Sequence, residues 1–181
     1  AGKYRVLRRL GEGGMGVVYL ARQEPIDRDV AIKVLLRSLV RDEIAIGRFE
    51  REAQTISRLR HPNTVTVYDF GRTRDGDLYL VMEYLAGRTR GELLERDGPV
   101  SPQRAARIVI QVAGALAEAH DAGVVHRDLK PDNIIITRIG SDTDFVKVLD
   151  FGLAKALDSE QAALLSQQGR IFGTPRYMSP E

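Results

Sequence analysis

The chain reads as an α+β protein in two lobes. Residues 1–84 form an N-terminal lobe with a five-stranded antiparallel sheet and one helix, and residues 85–181 form a mainly helical lobe. Three observations predict this. Five short runs of strand-type patterning fall before residue 85, separated by turns containing Gly, Pro or Asp. One amphipathic helical pattern interrupts them, and a second, longer one starts at Ser101-Pro102. The 181 residues, 43% hydrophobic, suffice for one good core or two small ones.

Tyr4 to Leu10 alternates apolar and basic residues and predicts a strand. Gly11 to Gly16 interrupts it, and Val17 to Ala21 resumes the extended pattern. Glycines between two strands suggest a hairpin folded over a ligand, because backbone without Cβ atoms can approach phosphate oxygens closely. A plain flexible hairpin turn is the alternative. A dinucleotide-binding glycine loop needs a helix after it, whereas Val17-Val18-Tyr19-Leu20 reads as strand. Gln23 to Asp29 holds Pro25 and reads as a turn. Val30 to Leu36 is the third strand, with Lys33 set among apolar residues. An ammonium there is costly to bury without an anion, unless it snorkels from an edge strand.

Arg41 to Leu59 predicts a helix with Asp42 as cap, since Phe49, Ala53, Ile56 and Leu59 share one face. Glu52 lies beside that face; Glu50 and Glu43 are competing carboxylates, and a surface pair of Glu52 with Arg48 is the alternative role. His61-Pro62-Asn63 turns the chain. Thr64 to Phe70 and Leu78 to Tyr84 read as a hairpin of two strands joined by the polar segment Gly71 to Asp77.

In the second lobe, Arg90 to Arg96 is a short helix ended by Asp97-Gly98-Pro99. Ser101 as N-cap and Pro102 at the first helical position start a long helix with an apolar stripe of Ile108, Val112, Ala115, Leu116 and Ala119, and Gly123 as its C-cap. Ile134 to Thr137 and Phe145 to Leu149 read as strands, with Arg138 to Asp144 as a polar loop between them.

Composition excludes several classes. A net charge of +2 gives no argument for nucleic acid. The chain has no Cys, so disulfides and Cys-based zinc sites are excluded, which fits a reducing compartment. No run of roughly 18 apolar residues predicts a membrane span, and the N-terminus lacks the apolar core of a secretory leader.

The chemistry concentrates in Val125 to Asn133, V-H-R-D-L-K-P-D-N, where Asp128 supplies a carboxylate, Lys130 an ammonium and Asn133 an amide oxygen. A base, a cation and a metal-seeking amide in one short loop suit a charged substrate. Three partners accompany it: G-E-G-G-M-G at Gly11 to Gly16, V-A-I-K at Val30 to Lys33, and D-F-G at Asp150 to Gly152. Together these resemble the eukaryotic-type serine/threonine protein kinases, with the signature elements in their expected order. The wording of G-E-G-G-M-G-V-V-Y and H-D-A-G-V-V-H-R-D-L-K-P-D-N is most similar to the bacterial members.

The resemblance implies ATP and Mg2+ as cofactors and transfer of phosphate to Ser or Thr of proteins, including autophosphorylation. It implies Leu10, Gly11, Glu12, Gly13, Gly14, Met15 and Gly16 over the nucleotide, and Val18, Ala31 and Ile135 against the adenine ring. Met82 stands behind the ring, and the backbone of Glu83 and Leu85 meets its edge. Lys33, paired with Glu52, grips the inner phosphates. Asn133 and Asp150 are the metal ligands. Asp128 is the orienting base and Lys130 stabilises charge on the transferring group. Thr174 contacts Asp128. His126 and Phe151, with Ile56 and Val67, form an internal apolar spine.

Arg127 before Asp128 implies dependence on a phosphate in the activation segment, and Ser166 is the expected site; an unmodified loop serine is the alternative. Lys130, two residues after Asp128, resembles the serine/threonine rather than the tyrosine class. Ser179-Pro180-Glu181 stands where the family usually has Ala-Pro-Glu. The resemblance implies further helices beyond Glu181, so this segment is expected to expose apolar surface and to be of poor stability alone. Protein substrates and a kinase–kinase dimer for trans-autophosphorylation are the expected partners. The expected location is cytoplasmic, with any membrane anchor outside the segment. A pseudokinase, or a regulatory fragment that binds ATP without transfer, is the competing reading.

Overall fold

Side-chain alternation in the first part of the chain resolves into a sheet. The computed structural model describes residues 3–13, 15–37, 43–151 and 174–178. Among these, residues up to 58 and those at 66–84 make one unit, and residues 59–65, 85–151 and 174–178 make another.

In the first unit, β1 (Tyr4–Gly13), β2 (Gly16–Gln23), β3 (Arg28–Leu35), β4 (Val67–Arg72) and β5 (Leu78–Glu83) form the expected five-stranded antiparallel sheet, and its strand order is β1-β2-β3-β5-β4. Opposed residues share a face of a pleated sheet. The register sets Val18 opposite Lys33, Lys33 opposite Leu80, Ala31 opposite Met82 and Phe70 opposite Leu80. Those side chains therefore share one face. On the other face Ala21, Val30, Ile32 and Val81 pack with Tyr4, Val34 and Tyr79.

Helix α1 (Glu43–Ile56) buries Ala45, Ile46, Phe49, Ala53 and Ile56. Phe49 meets Phe70 edge-on at 6.5 Å, so α1 packs on the face that carries Lys33. The helix is shorter than the expected 41–59. Asp42 lies outside the described residues. At the other end Arg58 N–H donates to the Thr55 carbonyl at 3.1 Å, a tighter i−3 bond that closes the last turn. The strand expected at Thr64 begins only at Val67. Thr64 and Val65 instead join the other unit, where Thr64 bridges Val148 in parallel and Val65 N–H donates to the Val148 carbonyl at 3.0 Å.

In the second unit, β6 (Arg88–Thr89), β7 (Ile134–Ile139) and β8 (Asp142–Val148) form a small antiparallel sheet in that order. The polar loop expected over Arg138 to Asp144 is instead a tight hairpin: Gly140, at φ 58, turns the chain and the flanking strand ends are polar because they face solvent. β6 has no sequence signal beyond two residues.

Helix α2 (Arg90–Asp97) starts with a capping box. Glu92 N–H donates to Thr89 Oγ1 at 3.1 Å, and Thr89 N–H donates to Glu92 Oε2 at 2.8 Å. Helix α3 (Pro102–Asp121) is capped by Ser101, whose Oγ accepts from Arg104 N–H. It buries Ile108, Val112, Ala115 and Ala119, while Val109 and Ile110 on its other side are 61% and 70% exposed. It ends at Asp121 with Ala122 as C-cap, one residue before the expected Gly123, whose φ of 77 lets Gly123 N–H reach the His120 carbonyl (2.9 Å) and Val124 N–H the Ala119 carbonyl (2.8 Å). Among the described residues no helix is long and apolar enough to cross a membrane.

β8 is an edge strand, yet its outward backbone groups are paired. Asp144 N–H donates to Asp142 Oδ1 (2.9 Å), and the Asp144 carbonyl accepts from Gln111 Nε2 (3.0 Å). Val146 N–H donates to Gln111 Oε1 (2.9 Å), and the Val146 carbonyl accepts from Asn63 Nδ2 (2.7 Å). Val148 N–H donates to the Asn63 carbonyl (2.7 Å). Asn63 is buried, so removing its amide strands a buried carbonyl. Asn63→Ala is expected to lower unfolding stability by about 1–3 kcal/mol, read as a lower urea midpoint at unchanged slope.

Candidate active site

The glycines of the β1–β2 hairpin divide by what surrounds them. A Cβ on Gly16, at φ 155, would lie 2.1 Å from the Val34 carbonyl oxygen, so the β2–β3 pairing itself demands glycine there. Around Gly11 and Gly13 a Cβ would meet nothing within 4 Å. The chain's own packing gives no reason for them, and the open space is what a phosphate-bearing ligand needs. Gly14 lies outside the described residues. Glu12 is ion-paired to Arg9, Leu10 is exposed, and the Met15 carbonyl accepts from Leu36 N–H at 3.1 Å.

Lys33 is buried on the face shared by Val18, Ala31 and Met82. Glu52 lies one turn from Phe49, the residue that packs α1 onto that same face, and is half-buried. Both occupy one side of one sheet, as a lysine–glutamate pair requires. Glu83 is tied at both ends of the residue: its N–H donates to the Thr66 carbonyl (2.9 Å) and its Oε1 accepts from Thr66 N–H (2.7 Å). Ile56 and Val67 are buried in this unit.

In the second unit, Gly87 follows Leu85 closely, and its missing Cβ admits Ile135 Cγ2 and the Ile136 carbonyl to 2.8 and 2.6 Å of that position. The loop from Val125 to Asn133 is held by its own polar groups. Asp128 Oδ2 pairs with Lys130 Nζ at 2.8 Å, Asp128 Oδ1 accepts from Thr174 Oγ1 at 2.9 Å, and Lys130 Nζ donates to Thr174 Oγ1 at 3.2 Å. Asn133 Nδ2 donates to the Asp128 carbonyl at 2.8 Å, which leaves the amide oxygen as the end suited to a hard cation. Leu149 N–H donates to the Asn133 carbonyl at 2.9 Å, and His126 Nε2 donates to the Leu149 carbonyl at 2.7 Å. His126 packs against Phe151 with centroids 5.0 Å apart and the rings tilted by 51°.

Arg127 and Asp150 are left-handed, at φ 65 and 56. Such a conformation in a non-glycine residue costs about 1–3 kcal/mol and persists where surrounding contacts over-determine it. A Cβ on Gly91 would lie 2.2 Å from Asp132 Oδ1, so glycine lets that carboxylate reach the N-terminus of α2, where the helix dipole favours it. Ser166 and Gly152 lie outside the described residues.

Burial pushes the Asp128 carboxyl upward, but hydrogen bonds from Lys130 and Thr174 outweigh it and hold the group below the ordinary carboxylate value. Asp128 is therefore ionised near pH 7. Burial lowers His126, which is consequently a neutral packing and hydrogen-bonding group near pH 7. Asn63 and Gln111 support this region, and no sequence motif points to either.

The arrangement has known counterparts. The model of the protein kinase domain matches residues 4–181. Serine/threonine-protein kinase pkn3 of Myxococcus xanthus is 51% identical over 180 residues, which cover 99% of this chain and 33% of that protein. Serine/threonine-protein kinase PrkC of Bacillus subtilis (strain 168) is 44% identical, with 100% and 27% covered. The crystal structure of the M. tuberculosis PknI kinase domain superposes with a TM-score of 0.74 at 35% identity, covering 83% of this chain and 59% of that one. The chain thus spans about a third or less of the curated relatives' length.

Removing the Thr174 hydroxyl removes one of the hydrogen bonds that lower Asp128. Thr174→Val is expected to raise the Asp128 titration midpoint, measured by carboxyl-carbon NMR. Because the folded value is depressed, the group's contribution to stability is present above the unfolded value near ~3.9 and is lost as pH falls through the folded one.

Proposed function

The chain belongs to the protein kinase family, and on that premise we propose that it transfers the γ-phosphoryl group of ATP to serine or threonine hydroxyls of proteins, its own included. The observation that carries this reading is the Asp128–Lys130–Thr174 cluster, with its three contacts of 2.8 to 3.2 Å. It supports a base and a cation held together by a threonine hydroxyl, the combination that phosphoryl transfer to a hydroxyl uses.

ATP supplies the transferable group, and Mg2+ neutralises charge on its phosphates. Asp128 orients the acceptor hydroxyl and takes its proton, which an ionised carboxylate can do. Lys130 steadies negative charge at the transferring group. Lys33 binds the inner phosphates, Glu52 holds Lys33 in place, and the backbone at Gly11 and Gly13 approaches the phosphate oxygens. Asn133 and Asp150 are the proposed Mg2+ ligands. Two protein oxygens, with phosphate and water completing the shell, are a usual way to hold this ion. Val18, Ala31 and Ile135 are assigned to the adenine faces, Met82 to the apolar wall behind it, and the backbone of Glu83 and Leu85 to its edge. Arg127 is assigned to an activating phosphate, with Ser166 as its carrier and a second copy of the chain as the enzyme that adds it.

Incubation with Mg-ATP followed by intact-mass measurement tests the reading. Phosphate is expected on the unmutated chain and not on Asp128→Asn. Nucleotide binding with no added mass in either protein would favour the binding-only alternative.

The glycines provide a separate check. Gly16→Ala is expected to destabilise the chain through its clash with Val34. Gly13→Ala is expected to leave stability within about 0.5 kcal/mol and to weaken nucleotide binding, read by thermal unfolding and by titration with a fluorescent ATP analogue.

A further inference from the structure

We propose that Gln111 is a positioning residue for the Mg2+-binding carboxylate of Asp150, acting by setting the register of β8. The proposal rests on the reading that Asp150 and Asn133 hold the ion.

A glutamine amide sets an N–H donor beside a carbonyl acceptor, as a peptide group does, with a second donor hydrogen and a second lone pair to spare. Gln111 uses its donor and its acceptor on the outer edge of β8, where a neighbouring strand would otherwise pair. Its Oε1 accepts from Val146 N–H at 2.9 Å and its Nε2 donates to the Asp144 carbonyl at 3.0 Å. The same Oε1 accepts from Asn63 Nδ2 at 2.9 Å, and that nitrogen also donates to the Val146 carbonyl. One side chain therefore ties α3, β8 and the Asn63 turn into a single polar network.

Gln111 is the middle of three such contacts along α3. Seven residues before it, the Arg104 guanidinium grips the Asp144 carboxylate at 2.7 to 3.1 Å. Seven residues after it, the Glu118 carboxylate accepts from Arg60 N–H (2.7 Å) and His61 N–H (2.8 Å). Seven residues are about two helical turns, so the three lie along one side of the helix. The outer two hold a side chain and a turn. Only the middle one pairs with strand backbone, which is what fixes register.

Register matters because Asp150 follows two residues after β8 ends, in a left-handed conformation that must be held by its surroundings. A slip of β8 by one residue would send its side chains to the opposite face. Helix packing alone does not account for Gln111: a leucine or methionine would bury the same area without needing partners. A peptide-like amide at that point is explained by the two backbone groups it meets.

The intact chain, Gln111→Met and Gln111→Glu separate the outcomes. Methionine keeps length and removes every hydrogen bond of the amide, the one from Asn63 included. Glutamate keeps an acceptor for Val146 N–H and loses the donor to Asp144. Without nucleotide, hydrogen exchange at the Val146 and Val148 amides is expected to quicken at least tenfold in Gln111→Met, with β2 and β3 amides unchanged; in Gln111→Glu, Val146 stays protected. In nucleotide titrations the half-saturating Mg2+ concentration is expected to rise about tenfold in Gln111→Met, with metal-free nucleotide affinity within twofold. Equal losses of metal-free and Mg2+-dependent affinity would overturn the proposal, as would faster exchange with an unchanged Mg2+ midpoint. If the unmutated chain binds nucleotide without regard to Mg2+, the metal assignment of Asp150 fails first and the proposal falls with it.

Discussion

One residue, Leu149, joins the two loops that carry the proposed chemistry. The Leu149 N–H is given to the Asn133 carbonyl, and the Leu149 carbonyl receives the His126 Nε2 hydrogen. Asp150 follows Leu149 directly, Asp128 lies two residues after His126, and Asn133 is itself tied to the Asp128 carbonyl. Asp128, Asn133 and Asp150 are thus each within a few bonds of Leu149. His126 can serve there because burial keeps its ring neutral and Phe151 covers it.

That knot also explains how unfavourable backbone is tolerated. Arg127 and Asp150 both occupy left-handed conformations. Each flanks a residue whose polar groups are fully used, Asp128 in one case and Leu149 in the other. Hydrogen bonds of about 1 kcal/mol net apiece, and more where a charge takes part, are enough in number to offset two such residues. The Thr174 hydroxyl donates to Asp128 and accepts from Lys130, so a neutral group from a distant part of the chain bridges an ion pair that is already in direct contact at 2.8 Å and only partly sheltered from water.

The strands of the first sheet and the long helix α3 were legible because their signals are local. Alternation marked β1, strand-type runs between turn residues marked β2 to β5, and Ser101, Pro102 and Gly123 marked the neighbourhood of the helix ends. The boundary misses have a common physical cause. Thr64 and Val65 look like strand, and they do pair, but with Val148 rather than with their sequence neighbours. Arg138 to Asp144 looks like loop because exposed strand ends are polar. In the site, motif spacing pointed to Asp128, Lys130 and Asn133. It could not point to Asn63 or Gln111, whose partners are backbone groups of a distant strand and leave no trace in residue type.

The placement of residues 59–65 bears on the order in which the protein is made. This segment leaves the ribosome between the halves of the first sheet, yet it belongs with the second unit. Asn63 and Val65 are synthesised more than eighty residues before the Val146 and Val148 groups they pair with. The first sheet can close while the segment is still unmatched, and its polar backbone then stays with water or a chaperone until β8 emerges. A clean cut at residue 84 would separate the segment from its partners permanently, leaving one piece with an unpaired turn and the other with a strand edge that has lost Asn63 and Val65 and keeps Gln111.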